Sequence, residues 1–159
     1  MAKTTRSFRA GPEKRFVPST GGIAYVTLLR TADRVKAYFE TIVAPFDITG
    51  QQYNVLRILR GAGPDGLPTL TIAERMIERA PGITRMIDRL EAKEWVWREN
   101  CPNDRRRVYC GITEKGLDLL DLLDEPVDET NAAFHGLSAE ELAQLTVLLE
   151  KVRKAHESN

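Results

Sequence analysis

The sequence predicts a mainly α-helical chain with one small β-hairpin. Three observations predict it. Apolar residues recur at helical spacing through most of residues 23–152. Thr49, Thr71 and Ser138 each stand three positions ahead of a Gln or Glu, the pattern of a helix-opening capping box. One stretch alone, near residues 95–110, is aromatic and β-branched with turn residues in its middle.

The elements follow in order. Residues 1–22 mix basic residues with Gly, Pro, Ser and Thr and show no period, so they read as a flexible basic arm. From Ile23 to about Val43, the residues Leu28, Ala32, Val35, Phe39 and Ile42 recur at helical spacing, and Pro45 ends that helix. Thr49 and Gln52 open a second helix running to Leu59 or Arg60, and residues 61–66 form a loop. Thr71 and Glu74 open a short third helix to about Glu78. Ala80-Pro81-Gly82 breaks the chain, and Pro81 suits the first turn of a fourth helix, where a missing N–H costs nothing. That helix buries Ile83, Met86, Ile87 and Leu90 and turns Thr84, Arg85, Asp88 and Arg89 elsewhere.

Trp95-Val96-Trp97 and Val108-Tyr109-Cys110 read as the hairpin strands, with Asn100 to Arg106 as a turn-rich basic tip. Trp95 and Trp97 are expected to part, one to the core and one to the opposite face. A long helix from Thr113 carries Leu117, Leu120 and Leu123, and Pro126 should kink it or open it locally. Gly136 breaks the chain, and Ser138 with Glu141 opens a last helix with the apolar line Leu142, Leu145, Leu149 and Val152.

Composition bounds the function. At 159 residues, 42% hydrophobic and 29% charged, the chain can bury a core and remain soluble. No apolar run approaches the ~20 residues of a membrane span, and no apolar segment follows the basic N-terminus, so the expected compartment is the cytoplasm. Cys101 and Cys110 are expected as free thiols. His135 and His156 lie far from them, so no metal site and no cofactor is implied. No Ser/His/Asp or Cys/His constellation and no Walker loop points to an enzyme. Net charge is zero, which by itself disfavours a nucleic-acid partner, but its distribution is uneven. Residues 1–36 carry eight Lys/Arg against two Asp/Glu, residues 72–107 nine against seven, and residues 113–159 four against eleven. The middle and the N-terminus can present a positive face while the total cancels.

Helix, helix, short helix, tight turn, helix, hairpin and two further helices is the order of a winged helix-turn-helix with flanking helices. A helix fits the major groove of B-form DNA, and a hairpin can place an Arg in the narrow minor groove. The residues add a specific likeness. LEAKEWVWRE at residues 90–99, NDRRR at 103–107 and ITEKG at 112–116 resemble the signature of the MarR family of bacterial regulators. PGITRMIDRL at 81–90 resembles the start of that family's recognition helix, and ITGQQYNVLRIL at 48–59 its second helix. The likeness spans roughly residues 23–156.

The resemblance implies a homodimeric transcription regulator. Residues 23–47 and 113–159 would supply interlocking dimerisation helices, and residues 48–112 a winged domain for half of a palindromic operator. Such regulators often respond to small aromatic ligands, and some to cysteine oxidation, so a repressor released by a small-molecule effector is the expected function. The alternatives are a protein–protein module on a winged-helix scaffold and a cysteine-based redox sensor.

Thr84, Arg85 and Arg89 are the major-groove candidates, with Gly82 allowing close approach of the backbone. By resemblance, Arg106 enters the minor groove and Asp104 holds the wing Arg in place. Arg105 and Arg107 reach phosphate or brace the wing, and Arg75 is a further phosphate candidate. The bland reading leaves a solvated face on which Asp88 and Glu91 make local ion pairs. Tyr25, Tyr38, Tyr53 and Phe39 are candidates for an effector pocket. Two departures stand out. Glu94 occupies a position where the family commonly has Gly, so the turn there is expected to differ, and Trp97 replaces a usual polar residue. A hairpin tip near Asp104 would set Cys101 opposite about Arg106 or Arg107 and Cys110 opposite about Trp97, too far apart for a disulfide.

Overall fold

The computed structural model describes residues 19–78, 81–101, 104–128 and 134–157; the side chains of residues 101, 104–106 and 157 lie outside the description. The arm expected at residues 1–22 falls mostly outside it too, but helix α1 already begins at Thr20 and runs to Val43. The chain divides into two compact units, Met1–Arg34 and Val35–Asn159. In the first, α1 exposes Ile23, Tyr25, Val26 and Leu29. The rest of the fold belongs to the second.

Pro45 ends α1 as expected, and a short 3₁₀ turn, Ala44–Phe46, follows. Helix α2 spans Gly50–Ala62 and opens on the expected capping box. The Gln52 N–H donates to Thr49 Oγ1 at 3.3 Å, and the Thr49 N–H donates to Gln52 Oε1 at 3.1 Å. A second cap comes from α1. Both carboxylate oxygens of Glu40 accept from the Gly50 N–H at 3.1 Å, setting a negative charge at the positive end of α2.

The next elements depart from expectation in instructive ways. Leu67–Pro68 forms a short strand, β1, pairing with Cys110 and Tyr109. The hairpin is therefore the larger part of a three-stranded sheet in the order β1, β3, β2. Helix α3 starts directly from that strand, at Thr69–Arg75. Thr71 lies inside its first turn and caps nothing. The chain leaves the sheet at Pro68, and Thr69 Oγ1 donates to the Val108 carbonyl at 3.2 Å, so helix begins three residues earlier than the capping pattern placed it. Met76 then turns to extended backbone, ending α3 three residues short of Glu78. Helix α4 spans Ile83–Ala92, so Pro81 precedes it rather than filling its first turn. Gly82 is the N-cap at φ 133°, a conformation side-chained residues rarely adopt.

The end of α4 answers the question raised by Glu94. The Trp95 N–H donates to the Leu90 carbonyl and the Glu94 N–H to that of Glu91, the two bonds of a Schellman motif. Glu94 sits at its left-handed position with φ 61°. The turn keeps its geometry and the side chain bears the strain, while its carboxylate pairs with Lys115 at 2.7 Å. That pair is exposed and contributes little. Glu94→Gly is therefore expected to raise the thermal midpoint by a few degrees, because the left-handed strain outweighs the lost pair and the added chain entropy. A lower midpoint in a thermal melt would count against this.

Strands β2, Val96–Cys101, and β3, Asp104–Ile112, are both longer than read from sequence. Asn100, Cys101 and Asp104 to Arg106 belong to strand, not tip. Arg98 faces Cys110 and Trp97 faces Gly111. This corrects the register that set Cys110 opposite Trp97. Near the tip, Asn100 pairs with Val108 while its neighbour Cys101 pairs with Asp104, not with Arg106 or Arg107. The register shifts between these two pairs, and among the described residues Arg105, Arg106 and Arg107 have no paired partner on β2. Trp95 precedes the strand and joins the core, whereas Trp97 is half-buried, its ring lying over Gly111.

Helix α5, Glu114–Asp128, carries through Pro126. Leu119, Leu120 and Leu123 are its buried leucines, and Leu117 is half-buried. Leu119, Leu120 and Leu123 meet Val55, Leu56 and Leu59 of α2, Ile72 of α3, and Ile87 and Leu90 of α4 in one core. Arg60 of α2 forks onto Asp124 of α5 with two hydrogen bonds of 3.0 Å, which holds the Asp124 carboxyl below its usual range. Helix α6, Ala139–Glu157, opens on the expected Ser138–Glu141 box. It leaves Val147, Leu148, Leu149 and Val152 exposed. Among the described residues, no helix is long and apolar enough to cross a membrane.

Candidate nucleic-acid interface

Helix α4 has two sharply different faces. Ile87 and Leu90 are sealed in the core, and Ile83 and Met86 are half-buried beside them. Gly82, Thr84, Arg85, Asp88 and Arg89 are exposed. The sequence had set the same residues on the same sides.

The charges on this helix are sorted. Asp88 and Glu91 both turn to Arg98 of β2, which reaches Asp88 Oδ1 at 2.5 Å and Glu91 Oε2 at 3.4 Å. The hydrogen bond to Asp88 holds the Arg98 guanidinium above its ordinary pKa, against the opposing effect of burial. In place of the local ion pairs that the bland reading gives them, these acids pair across elements. Among the described residues, Arg85 and Arg89 make no ion pair, nor do Arg75 and Arg107. Arg98 lies within the stretch that resembles the family signature, but the likeness gives it no role. Only the strand register, which turns it toward α4, picks it out.

The predicted residues divide over two grooves flanking α4. Gly82, Arg85 and Arg89 line one of about 530 Å³ opposite Lys36, Thr49 and Gln51. Thr84 and Arg107 line another of about 600 Å³, with Thr71 of α3 and Arg98. Arg75 is exposed on α3 and lines neither. Asp104, Arg105 and Arg106 lie on β3, but their side chains are outside the described residues. The far end of α4 is fixed by Lys93, which pairs with Asp47 at 2.7 Å and lies 4.6 Å over the Trp95 ring.

A cavity of about 290 Å³ shares Lys36, Glu40 and Gln51 with the groove that holds Arg85 and Arg89. Phe39 and Tyr53, two of the aromatics expected at an effector pocket, line it and meet edge to face at 5.3 Å. Met76 and Ile77 close the apolar wall, and Lys36 and Glu78 form an ion pair of 2.8 Å at its rim. Gln51 donates to Glu78 at 3.1 Å, and the Ile77 N–H donates to Asn54 at 3.0 Å. The chain leading into α4 is thus part of the cavity wall.

Cys110 is a buried free thiol beside Thr69 Oγ1 at 3.5 Å. Burial pushes its pKa up, which disfavours the reactive thiolate. The side chain of Cys101 lies outside the described residues.

A model of the MarR family matches residues 48–108. A MarR transcription factor from Planctomyces limnophilus shares 44% sequence identity over 86% of this chain and 98% of its own, with a TM-score of 0.67. The chain belongs to the MarR family. As a member, it is a DNA-binding transcription regulator with a winged-helix fold. A cysteine-to-serine mutant of E. coli MarR, in complex with operator DNA, is 27% identical over 82% of this chain and 93% of its own, with a TM-score of 0.74. S. aureus MepR, in complex with DNA, is 28% identical over 82% and 97%, also at 0.74. In this MarR-family chain, α4 stands where a recognition helix is expected and the β2–β3 hairpin is the wing.

Proposed function

We propose that the protein is a cytoplasmic homodimeric repressor that holds a palindromic operator with α4 and the wing of each subunit, and that a small apolar or aromatic ligand releases it. One observation carries the DNA reading. The acids of α4 are drawn back onto Arg98, so its exposed side presents Thr84, Arg85 and Arg89 without a neutralising partner among the described residues. An unpaired Arg on a groove-sized helix suits the acceptors of a guanine edge, or phosphate. Dimerisation is supported by the uncovered apolar side chains of α1 and of α6. Ligand release is supported by the cavity of about 290 Å³, just below the range usual for small-molecule sites.

Selection of bound duplexes from a random pool tests this reading. It should return a two-fold sequence with half-sites about one helical turn apart. In the wing, Arg106→Ala should cost ~1–3 kcal/mol of affinity for that duplex without changing the melting transition. Equal affinity of mutant and parent at the same salt would remove the wing from the mechanism. The protein–protein alternative rests on the zero net charge. It predicts an affinity for duplex that barely changes with salt, whereas phosphate contacts make it fall steeply.

A further inference from the structure

Arg98 is three-quarters covered, and its Nε is buried without a hydrogen-bond partner. Its outer nitrogen is spent on Asp88 and Glu91. Although Arg98 lines the same groove as Thr84, a guanidinium this far covered and already held by two carboxylates is poorly placed to meet a duplex itself. Its effect must pass through the two carboxylates. Asp88 stands three residues after Arg85, and residues at that spacing are neighbours on a helix surface. Without Arg98, Asp88 would have Arg85 one turn away on the same helix as a cation to turn to, and Glu91 would be a bare negative charge on a helix meant for a polyanion.

We propose that Arg98 is a positioning residue for DNA binding: by engaging Asp88 and Glu91 it keeps Asp88 off Arg85 and both carboxylates away from the phosphates. The proposal rests on the DNA reading above and adds an electrostatic role that Arg98 exerts through its two carboxylates. The role differs from ordinary bracing of a strand against a helix. Bracing would be lost with Arg98 and stay lost. An electrostatic role vanishes once the carboxylates are gone.

The test uses the full-length protein and a duplex recovered by selection with the parent. Arg98→Met is expected to lower affinity by roughly tenfold, since like charges brought together at an interface are costly. It should also reduce the slope of log affinity against log salt by about one, as Arg85 is drawn from phosphate to Asp88. Adding Asp88→Asn and Glu91→Gln to Arg98→Met should restore most of the affinity. The cycle removes the interaction from both sides. If Arg98→Met does not fold, Arg98→Lys is compared in the parent and in the Asp88→Asn/Glu91→Gln background. Lysine keeps the charge but offers a compact, strongly hydrated ammonium on a different stem, so it should hold the two carboxylates less well and weaken binding in the first and not in the second. The idea is overturned if folded Arg98 variants bind like the parent, or if removing the carboxylates fails to rescue. A parent that selects no duplex at all would instead sink the DNA reading.

Discussion

Replacing Arg85 and Arg89 together by alanine is expected to reduce affinity for the selected duplex on the order of a hundredfold. Loss of a base-contacting Arg costs ~1–3 kcal/mol, and the two share the exposed side of α4 and line the same groove. Neither has an ion-pair partner to lose among the described residues, so folding should be untouched and the melting transition should not move. The two side chains sit one turn apart, and their effects need not add. The single variants separate their roles. An Arg reading a base edge should relax preference at one position of the site, while an Arg on phosphate should weaken all sequences alike and flatten the salt dependence. If the double variant binds as the parent does at matched salt, α4 is not the reading element.

The second large effect is on stability. Gly116→Ala should destabilise the fold by about 1–3 kcal/mol, the cost of overpacking a tight site. Helix propensity predicts the reverse, since Ala in a helix is favoured over Gly by ~1 kcal/mol. The contact decides the sign. Gly116 is buried in the first turn of α5, and a Cβ there would lie 2.3 Å from the Trp95 carbonyl oxygen and 2.8 Å from Ile112 Cγ1. That oxygen already accepts from the Thr113 N–H, and the Gly116 N–H donates to Thr113 Oγ1 at 3.1 Å. Backbone packed on backbone cannot give way as a flexible side chain can. The midpoint of urea denaturation measures the change, and a variant more stable than the parent would refute the close packing.

Much of this fold was legible because local chemistry and tertiary packing agree. Thr49 with Gln52 and Ser138 with Glu141 are caps in sequence and in structure, and the apolar spacing of α4 sets its buried side. The misses are residues whose role depends on a distant partner. Leu67–Pro68 carries no strand signal and becomes strand only beside β3. Thr71 has the composition of a cap but the sheet starts the helix before it. Asn100 to Arg106 has the composition of a turn, yet much of it is strand, and the basic triplet sits at a register shift that no alternation rule foresees. Of the site, the exposed side of α4 could be read from period alone. Arg98 could not, because its partners lie seven and ten residues back, on a different element.

The wall shared by the cavity and the chain entering α4 has a thermodynamic corollary. Met76, Ile77 and Glu78 border the space a small molecule would fill, and four residues past Glu78 the helix is capped by Gly82. If a guest shifts that wall and so weakens the grip on the operator by some factor, the operator must weaken the grip on the guest by the same factor. Promoter-bound protein would then be the poorer sensor, and the free pool would capture the signal first.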